Sequence, residues 1–137
     1  MRRMGAKERL DLRVPAQPES IPGIRRGVMA FVAERNAPDP HAIGLAVTEA
    51  ATNAIVHAYH GGAPGEVRVV VCAEPERFVV VVRDWGTGLR PRPDSPGLGL
   101  GLPVIASLAT EFRVEAADGQ GTLLRMHFTR AAAAHAA

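Results

Sequence analysis

The sequence predicts an α/β (α+β) fold, a two-layer sandwich in which helices cover one face of a mixed, mostly antiparallel sheet. Two observations lead to this class. Segments of alternating or β-branched apolar residues are joined by short turns typical of hairpins, and the segments between them carry apolar residues at helical spacing. Because the chain has 137 residues, we expect a single domain over residues 1–137 with a core at about 10–128.

The first half of the chain is expected to form one strand and two helices. Residues Leu10–Val14 alternate in polarity and predict a strand at a sheet edge. Ser20 is suited to cap a helix that has a proline in its first turn and ends at about Arg35. Asp39, followed by another proline, predicts the start of a second helix, which runs to about Tyr59 and is ended by a glycine-rich turn.

The second half is expected to contain two hairpins separated by a loop and a helix. Strands over 66–72 and 77–84 are rich in β-branched residues and are joined by the short turn "AEPE". Residues Trp85–Gly101 are rich in glycine and proline, and irregular loops of this length in small domains are usually functional. A helix over "LPVIASLAT" follows, and then the strands "EFRVEA" and "TLLRMHF", turned at "DGQG". The alanine-rich residues 131–137 are expected to fray.

The composition is that of a globular protein, with 47% hydrophobic and 22% charged residues. The net charge of +2 gives no reason to expect direct binding to nucleic acid. Cys72 is the single cysteine and lies in a valine-rich run, so we expect a small buried side chain and no internal disulfide. The N-terminus does not resemble a signal peptide, and the uncharged stretches are unsuited to span a bilayer. We therefore expect a cytoplasmic protein with no membrane partner.

Glu49 and Asn53 are polar residues of an otherwise alanine-rich helical segment, "EAATNAIVHAY". Their spacing of four residues places both on one side of the helix. The carboxamide oxygen of Asn53 is a hard ligand of the kind that Mg²⁺ prefers, and Mg²⁺ usually takes one or two protein groups together with phosphates and water. A Glu49 carboxylate that does not bind metal is suited to accept a proton from a hydroxyl or water. The alternative is an exposed helix face that bonds only to solvent.

Asp84 ends a strand that is expected to be buried, and Gly86 and Gly88 follow it in "DWGTG". The carboxylate is suited to accept a hydrogen bond from a planar amine, and the glycines allow a close approach of the backbone. The alternative is a simple strand end in which Asp84 caps a glycine turn. Thr122, in "DGQGT", is either an ordinary hairpin residue or a hydroxyl close to the contact between Asp84 and an amine.

Gly97, Gly99 and Gly101 alternate with leucines directly before a helix, in "GLGLGLP". Free backbone N–H groups and the positive end of a helix dipole suit a phosphate group. The segment is not a P-loop, because no Gly-Lys-Ser/Thr follows, and it does not match the dinucleotide fingerprint, because the third glycine comes one residue early. The alternative is a flexible linker.

The order of these motifs resembles that of the GHKL ATPase superfamily, whose nucleotide-binding domains have the Bergerat fold. "EAATNAIVHAY" looks like the N box, "RDWGTG" like the first glycine box, "GLGLGLPVIASLA" like the second, and "GQGTLLRMHF" like the closing strand with its Gly-Thr pair. The resemblance covers roughly Leu10–Phe128. The closest match is the small bacterial branch of anti-sigma-factor serine kinases, which act in partner-switching systems.

The resemblance implies a serine/threonine-protein kinase that uses ATP and Mg²⁺. Asp84 would bond the adenine amino group with Thr122 nearby, Asn53 would coordinate Mg²⁺ between the phosphates, and Glu49 would be the general base. Either Arg90 or Arg92 of the lid would reach the γ-phosphate. The other residues implied to bind nucleotide are Gly86 and Gly88 at the base and ribose, and Gly97, Gly99, Leu100, Gly101 and Leu102 at the phosphates.

The same branch implies the partners of this chain. The phospho-acceptor would be a serine or threonine of a STAS-like anti-sigma-factor antagonist, and the released kinase would bind a sigma factor. A homodimer would form through the sheet and the first helix.

Two other functions remain open for a domain with these motifs. One is a non-catalytic binding module that responds to nucleotide, although only transfer or hydrolysis needs a base such as Glu49. The other is a switch kinase of the stressosome type, which the spelling "GLGLGLP" also resembles. The ATPase core of a histidine kinase fits less well, because no phospho-acceptor helix is expected before the domain.

Overall fold

The computed structural model describes residues 8–58, 65–86 and 102–130. Within these ranges the elements follow the predicted order β-α-α-β-β-α-β-β, with a short 3₁₀-helix at Pro18–Ser20 and a π-helical turn at Ala54–Ala58. The strands are β1 (Glu8–Pro15), β2 (Glu66–Ala73), β3 (Arg77–Asp84), β4 (Glu111–Ala116) and β5 (Thr122–Thr129). The helices are α1 (Ile21–Ala33), α2 (Pro40–Asn53) and α3 (Leu102–Leu108).

The strands form one sheet in the order β1-β2-β3-β5-β4, and each neighbouring pair is antiparallel. The expected mostly antiparallel sheet is confirmed, with no parallel pair among the described strands. β1 lies at one edge, as predicted, and β4 lies at the other. β3 is central because β2 borders it on one side and β5 borders it on the other. The end of β3 is therefore enclosed by backbone on both sides.

The helices cover one face of this sheet, which confirms the predicted two layers. Side chains alternate between the faces of a strand, so every second residue of the central strands enters the core. The buried apolar side chains of this face are Val67, Val69, Val71, Phe78, Val80, Val82, Leu124, Met126 and Phe128. Burying a side chain of this size contributes about 1.5–3 kcal/mol to folding. The predicted common orientation of Leu124, Met126 and Phe128 is confirmed.

Ser20 stands at the N-cap position of α1, as predicted, but the expected capping by its side chain is wrong. Ser20 is the last residue of the 3₁₀-helix, and its side chain makes no capping hydrogen bond. The N–H of Ser20 instead donates to the carbonyl of Gln17 at 2.9 Å, and the N–H of Ile21 donates to the carbonyl of Pro18. A side-chain cap accepts from the second or third N–H of a helix, but the second residue of α1 is Pro22, which has no N–H, and Ser20 has helical dihedrals (φ −80°, ψ −19°) in place of the extended ones of a cap residue.

The ends of the helices differ only slightly from the prediction. α1 ends at Ala33 and not at Arg35, because Asn36 adopts a left-handed conformation with φ 63° that stops the helix. The predicted cap of α2 is confirmed, since the Asp39 side chain accepts a hydrogen bond from the N–H of Ala42 at 3.1 Å. The predicted helix end at Tyr59 lies outside the described residues, as do most of the loop over 85–101 and the end over 131–137.

The other face of the sheet is covered by none of the helices in the described ranges, and we call it the open face. Cys72 lies on it and is half-buried, so the expectation of a buried cysteine is wrong. The reason is the register, because Val71 points into the core and its neighbour must point away. Charged residues dominate the β1 side of this face, where Arg68 binds Asp11 through N–O distances of 2.9 and 2.6 Å.

Candidate functional site

Asp84 ends the central strand on the face that the helices cover. It follows Val82 in the alternation of β3 and is only 3% exposed. Its neighbour across β5 is Thr122, which is 6% exposed, and its neighbour across β2 is the fully buried Val67. The fold thus brings together two predicted site residues, a carboxylate and a threonine, at one end of an apolar surface.

Two backbone N–H groups hold the carboxylate of Asp84. The N–H of Gly86 donates to Oδ1 at 3.0 Å, and the N–H of Thr122 also donates to the carboxylate. The Asp84–Gly86 bond is the cap of a glycine turn that the alternative interpretation expected. A carboxylate has about four acceptor sites, however, so two backbone donors leave room for the amine of a planar base. The turn and a binding role are therefore compatible.

Burial raises the pKa of Asp84 above its usual value, and the N–H bonds from Gly86 and Thr122 and the charge of Arg83 act in the opposite direction. In the unfolded chain the pKa of an aspartate is about 3.9. The folded protein therefore disfavours ionisation, and the free energy of unfolding contributed by this group falls as pH rises from the unfolded to the folded pKa.

This direction predicts a pH-dependent effect of Asp84→Asn, which cannot ionise. The free energy of unfolding of the variant minus that of the wild type is expected to be larger at pH 7 than near pH 4, because the raised pKa of Asp84 lowers the wild type's free energy of unfolding as pH rises, whereas asparagine does not titrate. Urea denaturation of both proteins across this range measures the difference. A difference that stays constant with pH would contradict the raised pKa.

Gly121, directly before β5, passes close to Asp84. Its φ is 104°, and an added Cβ would overlap the carbonyl oxygen of Asp84. Only glycine combines this left-handed conformation with so close an approach. Gly121 was not among the predicted site residues, although the spelling "GQG" in a hairpin turn is the pattern that points to it.

Asn53 is the last residue of α2 and is 1% exposed, whereas Glu49, one turn earlier, is half-buried. The alternative of a solvent-exposed helix face is therefore wrong for Asn53. The π-helical turn at Ala54–Ala58 follows it directly, and both α2 and this turn contact β3. Single π-helical turns within α-helices occur frequently at functional sites. The pair thus lies on the helix that packs against the strand of Asp84.

The donors of this helix suit a magnesium ion better than a protein-enclosed metal. The described residues contain no group of three or more His, Cys, Asp or Glu side chains that would hold a metal ion. Asn53 offers one neutral oxygen to a metal, and Glu49, on the same side of α2, remains a carboxylate that can act as a base. Mg²⁺ retains waters and phosphate oxygens and needs only one or two protein groups, so the donor set fits Mg²⁺ bound together with a polyphosphate.

The structure describes only one of the remaining predicted site residues, Leu102. Leu102 is the first residue of α3, and its half-buried side chain packs against the core. The others lie outside the described residues and stay predictions; they are Gly88, Gly97, Gly99, Leu100 and Gly101, together with the lid residues Arg90 and Arg92. Among the helices that the structure describes, none has the length and apolar character needed to cross a membrane.

The fold defines the class of protein. It is an α+β domain in which helices cover one face of an antiparallel sheet, and the polar residues Asp84 and Thr122 lie together at the end of the central strand. Residues 14–128 match the family of histidine kinase-like ATPase domains. This chain belongs to that family, and the fold and the superfamily that the sequence motifs resembled are confirmed.

Several relatives are similar over most of their length. The chain is 33% identical to serine-protein kinase RsbW of Bacillus subtilis, over 80% of this chain and 79% of the relative. It is 30% identical to the anti-sigma F factor of Pasteuria penetrans, over 88% of this chain and 89% of the relative. The anti-sigma F factor of Clostridium acetobutylicum is 29% identical, with 88% and 92% covered. The expected kinship with anti-sigma-factor serine kinases is confirmed.

Proposed function

We propose that this protein is an ATP-dependent serine/threonine kinase and anti-sigma factor that phosphorylates an anti-sigma-factor antagonist. The observation that carries the proposal is the buried Asp84 carboxylate, held by two backbone N–H groups at the end of the central strand of a histidine kinase-like ATPase domain. The names of its relatives, serine-protein kinase and anti-sigma F factor, support the same activity.

Different residues of the chain serve recognition of the nucleotide and transfer of the phosphoryl group. Asp84 accepts a hydrogen bond from the amino group of adenine, and Thr122 lies beside it in the neighbouring strand. Asn53 holds Mg²⁺ with the phosphates, and the bound ion supplies positive charge that offsets the negative charge developing in phosphoryl transfer. Gly86, and the predicted residues Gly88, Gly97, Gly99, Leu100, Gly101 and Leu102, complete the nucleotide site.

In the transfer step the oxygen of a serine or threonine hydroxyl attacks the γ-phosphorus of ATP. A bond forms between this oxygen and the phosphorus, and the bond from the phosphorus to the β–γ bridging oxygen breaks, so that ADP leaves. The hydroxyl proton passes to the carboxylate of Glu49. The half-buried position of Glu49 supports this role, because the side chain is reachable by a partner while it remains on the helix of Asn53.

Phosphorylation would add about −1.5 to −2 charge to the antagonist. We propose that this charge separates the STAS-like antagonist from the kinase, which then binds a sigma factor, as the names of the anti-sigma relatives suggest. The protein works in the cytoplasm, where sigma factors act, and we propose a homodimer that uses the sheet and α1. Arg90 or Arg92 is expected to contact the γ-phosphate.

Calorimetric titration with ATP, with and without Mg²⁺, is the first test of this function. We expect binding that is tighter with Mg²⁺ and that is weakened by Asp84→Asn, which keeps the size of the side chain but loses the charged acceptor. Absence of binding at millimolar ATP would refute the nucleotide site. Binding without transfer to any antagonist domain would favour the non-catalytic binding module.

A further inference from the structure

The turn between β4 and β5 is tied to the end of β3 by two sets of side-chain hydrogen bonds that run in opposite directions. Nη2 of Arg83, in β3, donates to the carbonyls of Asp118 and Gln120 at 3.3 and 3.2 Å. Nε2 of Gln120, in the turn, donates back to the carbonyls of Trp85 and Gly86 at 3.0 and 3.4 Å. We call these two residues the Arg83–Gln120 clasp.

The clasp acts on the same peptide unit that holds Asp84. The carbonyl of Trp85 and the N–H of Gly86 belong to one planar peptide group. Gln120 binds its oxygen, and the carboxylate of Asp84 accepts a hydrogen bond from its N–H at 3.0 Å. Because the group is rigid, fixing the oxygen also fixes the direction of the N–H, and with it the orientation of the carboxylate.

Arg83 itself is held in place from the open face. Its guanidinium lies over the ring of Trp85, 4.6 Å from the centroid, and the guanidinium of Arg13 lies 5.0 Å from the same centroid. Cation–π contacts of this kind restrict both partners. Arg83 is thus held against Trp85, whose ring is also in contact with Arg13 of β1.

We propose that the Arg83–Gln120 clasp positions Asp84 for recognition of the purine amino group, with Gln120 as a positioning residue that never touches the nucleotide. The inference rests on the proposed function and adds a determinant of base specificity to it. Gln120 is exposed, so its side chain contributes little to the core, and its bonds to two carbonyls of the base-binding segment remain its distinctive contacts. Replacing Gln120 is therefore expected to change nucleotide recognition and not the stability of the fold.

The test compares Gln120→Met with the matched control Gln17→Met, which changes an exposed glutamine outside the site. Calorimetry gives Kd for ATP and for purine riboside triphosphate, which lacks the amino group. Wild-type protein is expected to prefer ATP about ten- to a hundredfold, because the amine bonds to a charged acceptor. In Gln120→Met we expect ATP affinity to fall about three- to tenfold with the analogue unchanged. The control and the melting temperatures should stay at wild-type values.

A second readout needs no nucleotide. Amide hydrogen exchange at Gly86 is expected to be faster in Gln120→Met than in the wild type and the control, because the N–H loses its fixed direction. Equal losses of ATP and analogue affinity, or an unchanged ATP affinity with unchanged exchange, would overturn the clasp while leaving the ATP site intact. A wild-type protein that binds neither nucleotide would refute the proposed function, and unchanged exchange would then overturn the clasp separately.

Discussion

Replacing Glu49 with glutamine is expected to slow phosphoryl transfer by about 10²- to 10⁴-fold, the usual contribution of a positioned general base. Glutamine keeps the shape of the side chain and its place on α2, but it cannot take the hydroxyl proton. Since Glu49 is half-buried and not part of the apolar core, folding should be unaffected. The measurement is single-turnover transfer from radiolabelled ATP to an antagonist domain, with the Kd for ATP determined in parallel.

The Kd for ATP is the internal control of this experiment, because a base acts on transfer and not on binding. It should remain within about twofold of the wild-type value. Wild-type transfer by the variant would show that Glu49 is not the base. A loss of ATP binding would instead assign Glu49 to the nucleotide or metal site.

The second large effect is expected for Asn53→Ala, which should abolish the dependence of ATP binding on Mg²⁺. Changes one shell away from a metal typically cost about 10- to 100-fold in metal affinity, so loss of a direct ligand should cost at least as much. ATP titrations with and without Mg²⁺ should then give the same Kd. The reason is that α2 offers one neutral oxygen at this position and alanine replaces it with none.

Asn53 is buried, so its replacement also affects folding. This effect on stability must be separated from the effect on Mg²⁺ binding. Thr52→Ala is the matched control, because Thr52 is the neighbouring residue of α2 and its hydroxyl bonds within the helix to the carbonyl of Thr48 at 2.7 Å. Thermal melts show whether both variants are folded. A folded Asn53→Ala variant that still binds Mg-ATP as tightly as the wild type would show that Asn53 does not hold the metal ion.

Much of the fold was predictable because its patterns are local. The valine-rich strands β2 and β3, the alternation of Leu124, Met126 and Phe128, and the Asp39 cap each depend on residues close in sequence. The prediction for Ser20 failed because it, too, relied only on residues close in sequence. It has the side chain of a cap, but its dihedrals are helical, and the second residue of α1 is a proline with no N–H for a cap to bind.

The site was predictable in its residue types and, through the family resemblance, in the closeness of Thr122 to Asp84, but not in its other contacts. Asp84 and Thr122 lie in strands separated by α3 and β4, so their pairing depends on a register that no local pattern specifies. Gln120 is an ordinary polar residue of a hairpin turn when viewed in sequence, and only the fold places its amide at the carbonyls of Trp85 and Gly86. Cys72 was misassigned because strand alternation, and not hydrophobicity, decides its face.

The central position of β3 has a consequence for how the domain would respond to its ligand. The Asp84 carboxylate is bonded from β5, the last of the described strands, and flanked by β2, so the base site exists only when both halves of the sheet have come together. Nucleotide would then bind the folded chain and not the unfolded one. At a hundred times its Kd, ATP would add about 2.7 kcal/mol to the free energy of unfolding, so the supply of substrate would also set how much of the protein stays folded.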